Sequence, residues 1–239
     1  MTKVFRVRRA LLALVFVALA TVLPRAADSP AVTSLARLQA GNARFAADQG
    51  QAPAVGAPRR QELTAGQHPF AILLSCADSR VPPEYVFNTG LGDLFVVRAA
   101  GQVTDKSVLA SVEYAAEHLD VPLLVVLGHE SCGAVKATAE SNGKSMGPNL
   151  DYLVKQIKPA VDQTKSVEEK ARLKAAILAN VEEVINDAMK ASPILRERVA
   201  EGKLGVVGAY YELASGKVVF SQPVAKADVA ALEREHEKR

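Results

Sequence analysis

The chain has 239 residues, of which 49% are hydrophobic and 23% are charged, a balance typical of a globular domain with a substantial core. Its formal net charge is +3, but residues 1–27 hold five basic residues and no acidic one, so the remaining chain carries a net charge of −2. The basic isoelectric point therefore belongs to the first 27 residues and does not indicate nucleic-acid binding by the remainder.

The first 27 residues have the composition of an export signal. A basic start is followed by an apolar run, Ala10–Leu23, and then by small residues. The run is shorter than the roughly 20 apolar residues that cross a bilayer, which favours a signal peptide over an uncleaved membrane anchor. We therefore assign residues 1–27 to a signal peptide and expect no membrane association after its removal.

The cleavage position is open between Ala26 and Ala31, because Arg25 disturbs the small-residue pattern that precedes a cut. Sec export is the simplest interpretation, and Arg8-Arg9 leaves the twin-arginine route as an alternative. Both routes lead to a periplasmic or secreted protein. We predict that localisation for a mature domain over residues 32–239.

The mature part begins with an amphipathic pattern over residues 32–48, which predicts an N-terminal helical arm interrupted at Gly41. Thr33 and Ser34 are available to cap this helix. Residues 49–60 are rich in glycine, proline, alanine and arginine and predict a loop.

Short apolar runs then alternate with helical patterns. Buried strands are predicted at Phe70–Ser75, Asp93–Arg98 and Val121–Leu127. Helices are predicted to open at Pro82-Pro83 and to cover residues 104–118, 132–140, 149–162 and 166–191. We expect Thr104 to cap the second of these helices. Segments 204–213 and 217–220, which flank Ala214-Ser215-Gly216, predict a C-terminal hairpin.

This alternation predicts an α/β fold: a mainly parallel central β-sheet with flanking helices, a C-terminal hairpin strand and an N-terminal helical arm. Ligands of such sheets collect at the carboxyl ends of the strands. Cys76 and Cys132, the two cysteines of the chain, both follow predicted strands. The fold therefore places both thiols where a functional site is expected.

The first cysteine lies in a segment that combines three chemical groups. If the strand stays extended past its end, Cys76, Asp78 and Arg80 project on one face, because residues two apart share a side. Arg80 can then hold Asp78 through paired, charge-assisted hydrogen bonds. The alternative is a surface ion pair beside a buried cysteine.

The second cysteine lies three residues after His129, a spacing that metal ligands use on a loop or a first helical turn. Two thiolates and one imidazole are a known ligand set of catalytic zinc, with the fourth position left to water. A disulfide between Cys76 and Cys132 is the alternative in an exported protein. It leaves His129 and the Asp78–Arg80 pair without a role, whereas the zinc interpretation uses all five residues.

These residues belong to motifs that resemble the β-class carbonic anhydrases. Cys76–Val81 (CADSRV) resembles the first signature of the family, and Glu113–Ala115 with Gly128–Gly133 (GHESCG) resembles the second. Gly41–Phe45 and Gly90–Arg98 are similar to an early helix motif and to the second strand of the family. The resemblance covers about residues 35–220.

The resemblance implies that Cys76, His129 and Cys132 bind Zn²⁺. It also implies that Asp78 and Arg80 form a catalytic dyad, with Asp78 becoming a fourth zinc ligand only in a closed state. The implied reaction is the reversible hydration of carbon dioxide to bicarbonate and a proton, by zinc-bound hydroxide that the dyad orients.

The resemblance further implies a substrate pocket formed by Gln67, Phe95, Tyr114 and Gly133. Gln67 matches the plant-like branch of the family, and Leu73 stands where the bicarbonate-regulated branch carries tryptophan. The implied partners are carbon dioxide, bicarbonate and a second copy of the chain, in a homodimer or a dimer-based oligomer. Hydrolysis of carbon disulfide on the same scaffold is an alternative activity, and a zinc- or redox-binding protein with a structural disulfide is a non-enzymatic one.

Overall fold

The computed structural model describes residues 29–51 and 53–224. Its strands are β1 (Ala71–Cys76), β2 (Leu94–Ala99), β3 (Leu123–His129), β4 (Gly205–Tyr211) and β5 (Val218–Phe220). Its α-helices are α1 (Pro30–Ala46), α2 (Ala57–Glu62), α3 (Pro83–Val86), α4 (Lys106–Glu117), α5 (Gly133–Ser141), α6 (Pro148–Gln163), α7 (Glu169–Ala191) and α8 (Pro193–Ala200). The predicted signal peptide lies outside the described residues. Within them, no helix combines the length and the apolar character needed to cross a membrane.

The five strands form one sheet in the order β2-β1-β3-β4-β5. The first four strands are parallel, and β5 pairs antiparallel with β4. This confirms the predicted α/β fold with a mainly parallel sheet and a C-terminal hairpin strand. In this order β2 lies on one side of β1, and β3, the next strand in the sequence, lies on the other side. The carboxyl ends of β1 and β3 therefore flank a topological switch point, where open α/β sheets bind their ligands.

The central strands are apolar throughout because both faces of the sheet are covered. All six residues of β1 and all seven of β3 are buried. On one face Leu73 belongs to the same core as Leu38 of α1 and Phe87. On the other face Leu74 belongs to the core that contains Val112 of α4 and Val184 of α7. This double cover keeps the strand ends, and the side chains that follow them, in fixed positions.

The predicted interruption of the N-terminal helix at Gly41 is wrong, because α1 runs through it. A Cβ at this position would lie 1.9 Å from the backbone oxygen of Phe87. Gly41 therefore serves a close helix-to-backbone contact rather than a break. The cap of this helix is Ser29, whose side chain accepts a hydrogen bond from the amide of Val32.

Other element boundaries also differ from the prediction. The loop predicted over residues 49–60 gives way to α2, which starts at Ala57. Asp105, not Thr104, caps α4, since its carboxylate accepts hydrogen bonds from the amides of Ser107 and Val108. The helix α8 has no counterpart in the prediction; it begins directly after α7 and is capped by Ser192.

Candidate metal centre

Adjacent parallel strands bring the first two predicted ligands together. Cys76 is the last residue of β1 and His129 the last residue of β3, and the register pairs Ser75 with Leu127 between these strands. The two side chains thus sit at the switch point of the sheet. Their placement follows from strand length and register alone.

The third predicted ligand returns to this point through a tight turn. After His129 the backbone turns at Ser131, which has a φ of +54°, and Cys132 then forms the N-cap of α5. Glu130 holds the turn to β4, since its amide donates to the carbonyl of Tyr211 and its carboxylate accepts from the amide of Leu213. This turn brings the Cys132 thiol to the cluster.

The three side chains form a buried group. Their donor atoms all lie within 4.8 Å of one another, and each residue is at most 4% exposed. The sulfurs of Cys76 and Cys132 are 4.0 Å apart, so they are not joined in a disulfide, whose bond is about 2.05 Å. Tetrahedral zinc with bonds of about 2.3 Å to sulfur places two thiolates roughly 3.8 Å apart. The sulfur separation therefore fits a shared zinc ion.

His129 is oriented to offer one nitrogen to a metal. Its Nδ1 lies 2.9 Å from the carbonyl oxygen of Glu130. A carbonyl only accepts, so Nδ1 carries the proton and Nε2 keeps its lone pair. Nε2 is buried and has no hydrogen-bond partner among the described residues. A buried nitrogen without a partner is costly, and a metal ion would satisfy it.

The surroundings divide the negative charge unequally between the two thiols. The hydrogen bond with Cys132 and, to a lesser degree, the nearby imidazole of His129 and the hydrogen bonds from the amides of Asp78 and Gly101 lower the pKa of Cys76 to about 4. The neighbouring Cys76 thiolate and burial raise the pKa of Cys132. Burial acts to lower the pKa of His129, but the Cys76 thiolate outweighs it and raises that pKa. Without a metal, Cys76 is the thiolate of the pair.

Asp78 and Arg80 meet beside the cluster, as predicted, but by a different route. The strand ends at Cys76, and residues 78–81 form a turn closed by the amide of Val81 and the carbonyl of Asp78. Arg80 donates three hydrogen bonds to the carboxylate: its amide and Nε bind Oδ1 at 2.9 Å each, and one terminal nitrogen binds Oδ2 at 2.7 Å. The Arg80 guanidinium holds the pKa of Asp78 well below its usual range, and Asp78 raises the pKa of Arg80. Oδ2 lies 3.8 Å from Nε2 of His129.

Arg98 contributes to the site, a role that no sequence motif indicated. Its Nε donates to the carbonyl of Cys76 at 2.9 Å and a terminal nitrogen donates to the carbonyl of Asp78 at 2.6 Å. Both carbonyls belong to the segment that carries the thiol and the carboxylate. The available signal was its position as the last residue of a predicted strand, since parallel strands end at one edge of the sheet; in the structure Arg98 lies beside Ser75 at the end of β1.

The four predicted substrate residues do not all reach this cluster within one chain. Gly133 follows Cys132 directly, is exposed, and has open space where a side chain would be. Gln67 precedes β1, whose length of roughly 17 Å separates it from Cys76 at the other end. Phe95 and Tyr114 contact each other with ring centroids 6.2 Å apart, and Phe95 packs on the opposite face of the sheet from the core that contains Cys76.

Comparison with known proteins gives a consistent set of relatives. The family model described as carbonic anhydrase matches residues 71–218. Carbonic anhydrase 2 of Mycobacterium tuberculosis is 42% identical over 190 residues, which cover 77% of this chain and 89% of that protein. A carbonic anhydrase of Mycolicibacterium smegmatis is 40% identical over 193 residues, covering 80% of this chain and 93% of that protein.

Solved structures extend the similarity to the fold. The Coccomyxa β-carbonic anhydrase in complex with acetazolamide superposes with a TM-score of 0.67 at 26% identity, covering 73% of this chain and 85% of that one. A structure from a study of two tetrameric β-carbonic anhydrases of Sordaria macrospora gives a TM-score of 0.62 at 29% identity, covering 81% and 99%. The family match, the sequence identities and the shared fold agree with the geometry of the cluster. The chain therefore belongs to the β-class carbonic anhydrases.

Proposed function

We propose that the protein catalyses the reversible hydration of carbon dioxide to bicarbonate and a proton at a zinc ion held by Cys76, His129 and Cys132. The observation that carries this proposal is the buried group of two thiols and one imidazole with all donor atoms within 4.8 Å. A zinc ion supplies the Lewis acidity that makes water a nucleophile near neutral pH. Family membership supports the same reaction.

The side chains around the cluster hold the reacting groups in position. The carbonyl of Glu130 fixes the tautomer and ring orientation of His129. Oδ2 of Asp78 is placed to accept a hydrogen bond from the attacking oxygen and so to direct its lone pair toward carbon. Arg80 keeps this carboxylate ionised and turned toward itself. The Asp78–Arg80 pairing supports an open site in which Asp78 is not a metal ligand.

The charge of the ligands predicts the pH range of activity. Cys76 and Cys132 bring two negative charges to a doubly charged cation, which makes it a weaker Lewis acid than three neutral imidazoles would. We therefore expect a pH–rate profile whose active form rises on the alkaline side of neutrality. A flat profile down to mildly acidic pH would count against this ligand set.

We propose that a second copy of the chain completes the substrate pocket with Gln67, Phe95 and Tyr114. These residues are remote from the cluster of their own chain, yet Gln67 and Tyr114 are exposed. Two further large apolar side chains are exposed, Tyr85 at 69% and Leu91 at 40%. Such exposure favours an interface between subunits. The Sordaria macrospora relatives are tetrameric, which supports a homodimer or a dimer-based oligomer here.

Two further assignments remain proposals that the sequence supports. The N-terminal pattern supports cleavage of residues 1–27 and a periplasmic or secreted mature protein. Leu73, in place of tryptophan, and Gln67 support the plant-like branch of the family. We therefore expect no strong, cooperative inhibition when activity is titrated with bicarbonate.

The experiment that tests the proposed function follows carbon dioxide hydration by the exported protein before chelation, after chelation and after zinc is restored. Activity should disappear with the metal and return with it. His129→Ala should lose both zinc and activity, whereas His118→Gln, which changes an exposed imidazole, should keep its zinc. Hydration that survives complete zinc removal would contradict the proposal. Carbon disulfide hydrolysis faster than carbon dioxide hydration would assign the scaffold to the other activity.

A further inference from the structure

One polar side chain is buried deep inside the apolar face of a helix that contributes no metal ligand. Eight residues of α7 are buried, and Asn180 is the polar one among them. It is completely buried, and its neighbours along the same face are apolar, including Ile177, Val181 and Val184. A buried amide is unfavourable unless its hydrogen bonds serve the structure, so this position calls for a physical explanation.

The amide of Asn180 makes one long-range contact. Its Nδ2 donates a hydrogen bond of 2.9 Å to the carbonyl oxygen of Gly101, 79 residues earlier in the chain. Its Oδ1 is buried and has no partner among the described residues. The Oδ1 atom therefore gives up hydrogen bonding to water without replacement, whereas Nδ2 bonds to the loop after β2.

Gly101 in turn contacts the cluster. Its amide donates a hydrogen bond of 3.3 Å to the sulfur of Cys76. Gly101 has a φ of +66° and is enclosed, since a Cβ would lie 2.7 Å from Ile157 and 3.2 Å from Ala134. Glycine has the greatest backbone freedom of any residue. A bond that fixes its carbonyl also limits the directions in which its amide can point.

We infer that Asn180 is a positioning residue for the metal site: by holding the carbonyl of Gly101, it aims the amide of Gly101 at the Cys76 thiolate. This inference rests on the proposed function, because it assumes that Cys76 binds zinc. The sulfur receives one other backbone hydrogen bond in the described residues, from the amide of Asp78 at 3.5 Å. Loss of the shorter bond removes the better of its two amide donors. Partners of this kind around metal ligands typically change metal affinity by 10- to 100-fold when they are removed.

The test compares zinc affinity and folding in variants of one helix face. Asn180→Leu keeps the branched shape, lacks the donor and removes the unpaired oxygen, but leaves the carbonyl of Gly101 without its donor, so the metal-free protein should fold with a moderately lower Tm. Its zinc dissociation constant, measured by competition with a chelator, should rise by about 10- to 100-fold. Asn180→Ala lacks the donor and the unpaired oxygen and fills less space than Leu, and it should show the same weakening if Leu at this site prevents folding.

The control variant separates positioning from general destabilisation. Val184→Ala changes the same buried face one turn further on and lowers thermal stability without altering a donor to Gly101. It should bind zinc as wild type does. In the cobalt-substituted protein, the absorption of the cobalt–thiolate bonds should change in the Asn180 variants and stay unchanged in Val184→Ala.

Each outcome decides between the hypotheses. Folded Asn180 variants with zinc affinity within twofold of wild type, or an equal loss in Val184→Ala, would overturn the inference and leave the proposed function intact. A wild-type protein that binds no zinc would overturn the proposed function itself. If neither Asn180 variant folds, hydrogen exchange of the wild-type protein decides. Zinc should slow exchange of both the Gly101 amide and the Asn180 side-chain amide. An exchange rate of the Asn180 side chain that zinc leaves unchanged would contradict the inference.

Discussion

Replacing Arg80 tests whether activity depends on the hydrogen bonds that hold Asp78. Arg80→Ala removes the two side-chain hydrogen bonds to the carboxylate but leaves the backbone bond to Oδ1 in place. At the low end of its range, each charge-assisted hydrogen bond of this kind changes an equilibrium constant by about tenfold. The low end applies here because the side chain of Arg80 is half exposed. Asp78 should therefore turn toward the cluster about 10²-fold more readily, and carbon dioxide hydration should fall by up to that factor.

Arg80→Lys provides the matched variant. Lysine keeps the positive charge but cannot reproduce the fork in which two nitrogens meet both carboxylate oxygens. It should retain one bond and lose up to about tenfold in kcat, between wild type and Arg80→Ala. Stopped-flow hydration with zinc content measured on the same samples separates turnover from metal loss. Wild-type turnover in Arg80→Ala, with zinc fully bound, would refute the role given to the dyad.

Three further outcomes follow from the structure. Ultraviolet titration of the metal-free protein should show one thiolate forming near pH 4, at Cys76, while Cys132 stays protonated past neutrality; two thiols titrating together near pH 8–9 would contradict this asymmetry. Gly41→Ala should lower the free energy of unfolding by about 3 kcal/mol, or the Tm by roughly 6–12 °C, since its Cβ would overlap the backbone of Phe87. A Tm at or above wild type would show that the higher helix propensity of alanine outweighs this overlap. Arg98→Met should weaken zinc binding about tenfold in chelator competition, and unchanged affinity would remove Arg98 from the site.

The cluster of Cys76, His129 and Cys132 could be predicted from the sequence because it depends on local patterns and on one rule about parallel sheets. Cys76 and His129 each end a continuous apolar run, and such runs form buried strands whose carboxyl ends meet at one edge. The spacing from His129 to Cys132 then brings the second thiol back within a single turn. None of these steps requires knowledge of a distant contact.

The supporting residues could not be predicted because their roles exist only in the tertiary structure. Asn180 interrupts an apolar helical pattern, and nothing local distinguishes a buried amide from a solvent-facing one. Its partner, Gly101, lies 79 residues away and is brought near by the packing of α7 against the loop after β2. Gly41 misled the helix prediction for a similar reason, since the backbone of Phe87 that excludes a side chain there belongs to another element.

The predicted pocket residues illustrate a different limit. Gln67 is nine residues from Cys76 in the sequence, but a strand lies between them and sends the two to opposite ends of the sheet. Sequence proximity therefore says little about distance when an extended strand intervenes. The number of copies of the chain that build the pocket is a property of the assembly, which no pattern along one chain encodes.

The most direct test of the proposed metal centre is a crystal structure of the purified protein with anomalous scattering measured on both sides of the zinc absorption edge. The account predicts one strong anomalous peak per chain, bonded to the sulfurs of Cys76 and Cys132 and to Nε2 of His129. A continuous bond between the two sulfurs, or a zinc peak away from this imidazole, would contradict it.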